Sequence, residues 1–511
     1  MNFYERVYNI TKDDNQAIEA AQAFQEIFRL QKTWKYRMVS PGGMLPGLLM
    51  PLLPKFVLDN KEDFEIPDDL ASGIDELMRG YGRKESGFII AIMNQFVAFL
   101  DHWMGLQNRL IASIYMQQEG ENFFSFLKES FYILSRLDLN MHRHPYAAYE
   151  ALLEVIEDIT RYEGRKSGEL ISERSISNLM CELAEIRDGD LVYDGACGYG
   201  ISMSLAVAAT DAVPYMQDYS SDCTAVASIL MLFAGKKEAV IHCGDTTVKP
   251  LTAEVDVYFD RFITHPPFLN YSTEVEQRSE YQRSRDFLYS GMVPPNDRWL
   301  FVRNALARLK DDGVGVALVP ISVLSRESDA YAMTRKHLVW DGFIDSVIEL
   351  PTGVVGSINT KWSILVFRKH AQRESIYMLD LSRKNVYSYF EKEDAMLVLR
   401  DGAAEEIVSF VKEHTAIDGM ARMVSQDEIA QKYYRLSIGS YIVATTNRDA
   451  AVANSAELWD ERERLEKEYE RVNYEFEEAL CGYNAWLNHN AIDDEEELGE
   501  DLSFRYGSRR R

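Results

Sequence analysis

Cysteine is scarce in this chain: 511 residues carry five, Cys181, Cys197, Cys223, Cys243 and Cys481, with no C-x-x-C pair and no histidines at metal-ligand spacing. A disulfide scaffold and a structural zinc module are thereby excluded, and a reducing, cytoplasmic setting is expected. Positive charge is also in deficit, since 55 Lys and Arg against 81 Asp and Glu leave a formal charge of -26. Most of such a surface repels nucleic acid, so DNA binding requires a local basic patch or a more basic partner subunit. The only basic groups are short, such as "RKH" at 368–370 and "SRRR" at the end. Long apolar runs are missing as well. The most apolar stretch, "GFIIAIMNQFVAFLDHWMGL" from Gly87, is broken by Asn94, Gln95, Asp101 and His102 and reads as a buried helix, not a membrane span. The start, "MNFYERVYNITKDD", has no apolar core of a signal peptide.

What is present is ordinary globular material, 46% hydrophobic and 27% charged, in a length that predicts two to four domains. Up to about residue 165 the spacing predicts helices, in "DNQAIEAAQAFQEIFRLQKTW", "GFIIAIMNQFVAFLDHWMGLQNRLIASIYM" and "PYAAYEALLEVIEDITRYEG". The segment "MVSPGGMLPGLLMPLLPK" reads as a connector with buried contacts, because proline and glycine oppose a long helix. From 166 to 446 the texture alternates. Strand candidates "DLVYDGACGYG", "AVPYMQDYS", "AVIHCGD", "VDVYFDRFITH", "VGVALVPIS", "FIDSVIELP" and "WSILVFRK" are separated by helix candidates "ISMSLAVAAT", "SDCTAVASILMLFAGK" and "DRWLFVRNALARLKDDG". This predicts an α/β domain with a mostly parallel sheet. From 447 to 511 a charged helix, "AELWDERERLEKEYERVNYEFEEALCGYNAWL", precedes an acidic run and a basic tag. That helix is either a solvated surface helix or half of a coiled-coil contact.

The residues that suggest chemistry fall at four successive strand ends. After "LVYD", ending at Asp194, comes a turn with Gly195, Gly198 and Gly200 that lets a backbone approach a ligand. The same turn is also what a tight strand-to-helix corner requires. The second strand ends in Asp218, placed to accept hydrogen bonds from both hydroxyls of an adenosine ribose, although an acidic helix cap has the same signature. The third ends in "HCGDTT", where Asp245 is placed for an adenine edge, and the fourth in "ITHPPF". Parallel sheets bind ligands at these carboxyl ends, and four polar or special ends together point to one crevice.

The order and spacing of these pieces resemble the modification (M) subunits of Type I restriction-modification systems, a family of adenine-specific DNA methyltransferases. The resemblance runs through "SGELISERSISNLMCELAEIRDGDLVYDGACGYG", where that family has a G-x-x-x-T-P segment and a D-P-A-C-G-T-G-G loop, then "DRWLFVRNALARLKDDGVGVALVP", "IELPTGVVGSINTKWSILVFRK" and "YYRLSIGSYIV". It implies a Rossmann-like, S-adenosyl-L-methionine-dependent methyltransferase domain preceded by a helical N-terminal domain and followed by a helical tail. It further implies that Asp194, Ala196, Gly198 and Gly200 shape the methionine side of the cofactor pocket, that Asp218 holds the ribose and that Asp245 reaches the adenine. His265, Pro266, Pro267 and Phe268 would receive a target base flipped out of DNA. Partners implied are DNA and a specificity subunit contacted by the helix from about Ala456, with a second copy of the chain or a nuclease/helicase subunit as further company. No helicase-type glycine-lysine loop or nuclease constellation is present in this chain, so cleavage is not expected of it.

Departures from the family pattern are concrete. Ser172 and Glu173 stand for Thr-Pro, Gly195 for proline, Tyr199 and Ile201 for threonine and glycine, and His265 for Asn or Asp. Tyr199 and Ile201 add bulk where the backbone should approach the cofactor. Neutral imidazole offers one acceptor nitrogen and imidazolium none, so His265 serves only when neutral, and any methylation is expected to rise as it loses its proton. The alternative reading is a degenerate methyltransferase fold kept as a DNA-binding, sensing or scaffolding part of a defence complex.

Overall fold

The computed structural model describes residues 14–33, 44–80, 86–104, 121–167, 174–267, 286–290, 299–326, 329–355, 360–369, 373–382, 386–393 and 396–442, with single positions at 11, 292, 464 and 471. The chain divides into two compact units, Met1–Val443 and Ala444–Arg511, and every element labelled below belongs to the first. Phe268, Ser172, Glu173, Cys481 and nearly all of the expected C-terminal helix lie outside the described residues.

Helices come first; the longer ones among the described residues are α1 (Asn15–Thr33), α2 (Met44–Asp59), α3 (Asp68–Arg79), α4 (Ser86–Met104), α5 (Glu121–Leu134) and α6 (Ala147–Ser167). Helix α2 corrects the expectation of a connector, since it is continuous through Pro51 and Pro54. Leu48, Leu49, Met50, Leu52, Leu53, Phe56 and Val57 on it are all 0–1% exposed. An internal proline costs about 3 kcal/mol, whereas each such side chain gains about 1.5–3 kcal/mol on burial, so seven of them overrule two prolines. Phe56 of α2 stacks at 4.1 Å on Phe233, which ties this helical layer to the region that follows.

The α/β region begins with α7 (Arg174–Ala184) and β1 (Leu191–Asp194), then α8 (Ile201–Val207), β2 (Val213–Asp218), α9 (Ser221–Phe233), β3 (Val240–Cys243) and β4 (Phe259–Thr264). It continues with α10 (Leu300–Ala307), β5 (Leu309–Pro320), α11 (Asp329–Trp340), β6 (Ile344–Glu349), β7 (Trp362–Arg368) and β8 (Ser375–Asp380), and ends with the β9 (Phe390–Glu393) and β10 (Met396–Leu399) hairpin, α12 (Ala403–Glu413) and β11 (Ala421–Ser425). Nine strands form one sheet in the order β11-β8-β6-β7-β5-β4-β1-β2-β3. The seven strands expected from the sequence are all in it. Burial explains the composition of the most apolar of them: the last eight residues of β5, GVGVALVP, are wholly buried, and such strands read as continuous apolar runs.

The sheet is parallel except at β7, which runs antiparallel between β5 and β6, and at β11, antiparallel to β8. Strand order reverses between β1 and β4, which pair in parallel. In an α/β sheet this switch point is where strand ends part to leave a crevice, and here it brings the ends of β1 and β4 side by side. The fold class is therefore α/β, Rossmann-like, with a central sheet and helices between its strands.

Candidate active site

The first wall of the crevice is the turn after β1. Ala196 N–H donates to Asp194 Oδ1 at 2.9 Å, and Cys197 N–H donates to the Gln217 carbonyl at 2.9 Å, which tacks the turn to β2. Gly198 and Gly200 take φ of +52° and +80°, the left-handed region that side chains resist. Their roles differ. A Cβ on Gly200 would come within 2.9 Å of Met216 Cε and 3.1 Å of Ala227 Cβ, so close packing onto β2 and α9 requires its absence. A Cβ on Gly198 would meet nothing within 4 Å, so that glycine borders open space. Tyr199 and Ile201, expected as bulk in this loop, are each 8% exposed and belong to the hydrophobic core.

The second wall is the end of β2. Asp218 accepts from Gly198 N–H through Oδ2 and from Ser220 N–H through Oδ1, both at 2.9 Å, and its carbonyl accepts from Gly244 N–H at 2.9 Å. Asp218 thus joins the turns after β1, β2 and β3. A carboxylate offers about four acceptor positions, so these bonds leave acceptor capacity for a ribose hydroxyl. The third wall is the turn after β3: Asp245 Oδ1 caps it by accepting from Thr247 N–H at 2.8 Å and Thr247 Oγ1 at 2.6 Å, and Thr246 Oγ1 donates to the Gly195 carbonyl at 2.6 Å. Gln217, fully buried, braces the same turn by donating to the Gly244 and Lys249 carbonyls and accepting from Leu251 N–H.

Electrostatically this side favours a cation. Burial lifts the Asp194 carboxyl to about 7, with the Asp218 charge adding to the rise and the Ala196 N–H and Thr264 hydroxyl opposing it. Burial also raises Asp218, against the backbone N–H groups of Ser220, Gly198 and Tyr219. Two neighbouring carboxylates in a low-dielectric crevice are stabilised by a positive ligand, which is the demand that a sulfonium and an α-ammonium meet. These residues fit S-adenosylmethionine. Among the described residues no group of three or more His, Cys, Asp or Glu could hold a metal, and no helix is long and apolar enough to cross a membrane.

The fourth wall follows β4. Thr264 is 2% exposed, His265 is half-buried, Pro266 is buried and Pro267 is exposed. The His265 imidazole meets the Trp362 indole edge-on, with ring centroids 4.9 Å apart at 90°. Burial lowers the imidazole to about 4. The group is therefore neutral at any physiological pH, and the pH-dependence expected from its titration is displaced to about pH 4. Of the sequence-predicted residues, the structure gathers Asp194, Ala196, Gly198 and Asp218 by direct hydrogen bonds, links Asp245 to them through Gly244 and Thr246, and sets His265 at the neighbouring strand end. Sequence reasoning missed Thr264, Gln217 and Trp362. A glutamine inside the apolar "VPYMQD" is a visible signal, because a buried amide needs partners. Trp362 has none, since its contact depends on the antiparallel insertion of β7.

Comparisons with known proteins bear on the family and the fold. The family model for N-6 DNA methylase matches residues 146–450. The chain is 25% identical over 321 residues to the Type I restriction enzyme MpnII methylase subunit of Mycoplasma pneumoniae, covering 59% of this chain and 57% of that protein. It is 24% identical over 359 residues to the MjaVIII methylase subunit of Methanocaldococcus jannaschii, covering 67% and 61%. The chain therefore spans about three-fifths of the length of these relatives. In fold it is similar to a type I restriction-modification methyltransferase subunit from Streptococcus thermophilus, with a TM-score of 0.65 at 18% identity over 83% of this chain and 100% of that one. A modification subunit of a putative type I restriction enzyme from Vibrio vulnificus gives 0.60 at 15% identity over 81% and 93%.

Proposed function

The chain belongs to the N-6 DNA methylase family, and we propose that it is the S-adenosylmethionine-dependent, adenine-specific DNA methyltransferase subunit of a restriction-modification system. The observation that carries this reading is the junction of the β1 and β4 ends: a carboxylate-lined, glycine-bordered wall on one side and His265-Pro266-Pro267 on the other. A bound S-adenosylmethionine supplies an activated methyl group there. The chain's residues do the rest. Asp218 takes the ribose hydroxyls, and Asp194 in its ionised form faces the positive end of the cofactor. On the β4 side, neutral His265 accepts one hydrogen of the target amine and a carbonyl of the proline pair accepts the other. The amine's lone pair is then aimed at the methyl group, and positive charge developing on nitrogen is stabilised by both acceptors.

Sequence choice falls to a partner in this reading. With a charge of -26 the chain supplies little of the phosphate neutralisation that DNA binding needs. A specificity subunit is the partner we propose, in keeping with the methylase-subunit relatives. The second reading, a non-catalytic scaffold, is favoured by one observation: His265 presents a single acceptor where a carboxylate or amide oxygen presents two lone pairs. Incorporation of labelled methyl groups into DNA separates them. With the partner supplied, we expect label on adenine N6. No incorporation, with cofactor bound, supports the scaffold.

A further inference from the structure

We propose that Trp362 is a positioning residue for His265: its indole is the wall that sets the plane of the imidazole at the β4 end of the crevice. The inference rests on the methyltransferase reading for its purpose, and on geometry for its substance. Trp362 is the first residue of β7 and pairs with Pro320, the last of β5, while Thr264 at the end of β4 is aligned with Ala317 of the same β5. One strand thus links the two rings at one end of the sheet's central strands. On both sides of the indole the backbone is pinned, because Leu350 N–H donates to the Trp362 carbonyl at 2.8 Å and Ile321 N–H to the Lys361 carbonyl at 3.0 Å. At 2% exposure the ring cannot swing aside.

The 90° arrangement at 4.9 Å is the edge-to-face geometry that aromatic quadrupoles favour. Buried tryptophans usually satisfy their N–H, yet Trp362 Nε1 finds no acceptor among the described residues. The position therefore uses the ring's shape and not its hydrogen bond. A carboxylate or amide at 265 could be oriented by hydrogen bonds alone, whereas an imidazole with one acceptor nitrogen has a single useful orientation, and a flat rigid wall supplies it. Burial of the imidazole agrees with this enclosure.

The test uses the full chain, labelled at histidine carbon for NMR, with the His265 signal assigned by its loss in His265→Asn. Wild-type His265 is expected to titrate near 4. Trp362→Leu, apolar but without a ring, should raise that midpoint by about one unit or more, and Trp362→Phe should leave it within about half a unit. An unmoved midpoint in a folded Trp362→Leu overturns the proposal. Should that variant fail to fold, a wild-type cross-peak between imidazole and indole protons reads the contact directly, and its absence overturns the proposal equally. In methyl transfer with the specificity partner, Trp362→Leu should lose about tenfold or more in kcat with KM for S-adenosylmethionine unchanged, and Trp362→Phe should restore most of it. A moved midpoint with kcat unchanged overturns the positioning role. Wild type without any transfer defeats the methyltransferase reading, and the titration and cross-peak then still decide whether Trp362 holds His265.

Discussion

On the β1–β3 side of the crevice, Asp194, Asp218 and Asp245 each accept a backbone N–H, whereas on the β4 side His265 rests against another side chain, Trp362. The two constructions respond differently to sequence change. Backbone donors are supplied by every residue except proline, so the β1–β3 side keeps its hydrogen bonds although Gly195, Tyr199 and Ile201 depart from the family pattern. Ring-on-ring placement depends on two specific side chains. In the proposed reading the β4 side is therefore where one substitution has the greatest leverage on chemistry, and the β1–β3 side is vulnerable only where the backbone itself is unusual.

The largest effect we predict is on the β4 side. His265→Asn restores an amide oxygen to the reacting position and should raise kcat by up to about a hundredfold, since one well-aimed polar group is worth about that much. Across pH 5.5 to 8 the wild-type rate should show no step from His265, because its midpoint lies near 4. Activity that stays at zero in His265→Asn, with cofactor still bound, would favour the scaffold reading, and an unchanged nonzero rate would mean that the two sides are not functionally distinct.

Next in size is a backbone effect. Gly200→Ala should cost about 2 kcal/mol of stability in denaturant unfolding, from left-handed strain plus the 2.9 Å contact with Met216, while Gly198→Ala should cost about 1 kcal/mol, as strain without a clash. Equal costs would break the distinction between a packing glycine and a glycine that borders the crevice.

Smaller still is a proton linkage. The folded Asp194 carboxyl sits near 7, above its ordinary 3.8, so its neutral form favours folding. That contribution is complete below about pH 4 and lost as pH rises through 7. A cationic ligand reverses the preference by selecting the carboxylate. Affinity for S-adenosylmethionine should therefore rise about tenfold between pH 6 and pH 8, as read by calorimetry, with Asp194→Asn weaker and flat over that range.

The seven core strands and the crevice at their ends were legible because period, apolar runs and turn residues are local signals. Asp194 and Asp218 stood out for the same reason, each ending a strand, and Asp245 because it lies in the turn that follows one. The continuous α2 was not, since its prolines announce a break and only tertiary burial of Leu48 through Val57 overrules them. Strands β8 and β11 were missed, the latter because "ARMVS" is a short edge strand with two polar positions in five. Nor was the state of His265 legible. Its neutral form follows from burial against Trp362, a contact made only when β7 inserts antiparallel between β5 and β6.

The most direct test of the central claim is calorimetric titration of the full chain with S-adenosylmethionine beside Asp218→Ala. Asp218 joins three turns through Gly198, Ser220 and Gly244, and only its carboxylate reaches both Gly198 and Ser220. Saturable one-site binding by wild type, weakened about a hundredfold or more in the folded variant, is the predicted result. Wild type that is folded, supplied with its partner and still without affinity for the cofactor would contradict the account.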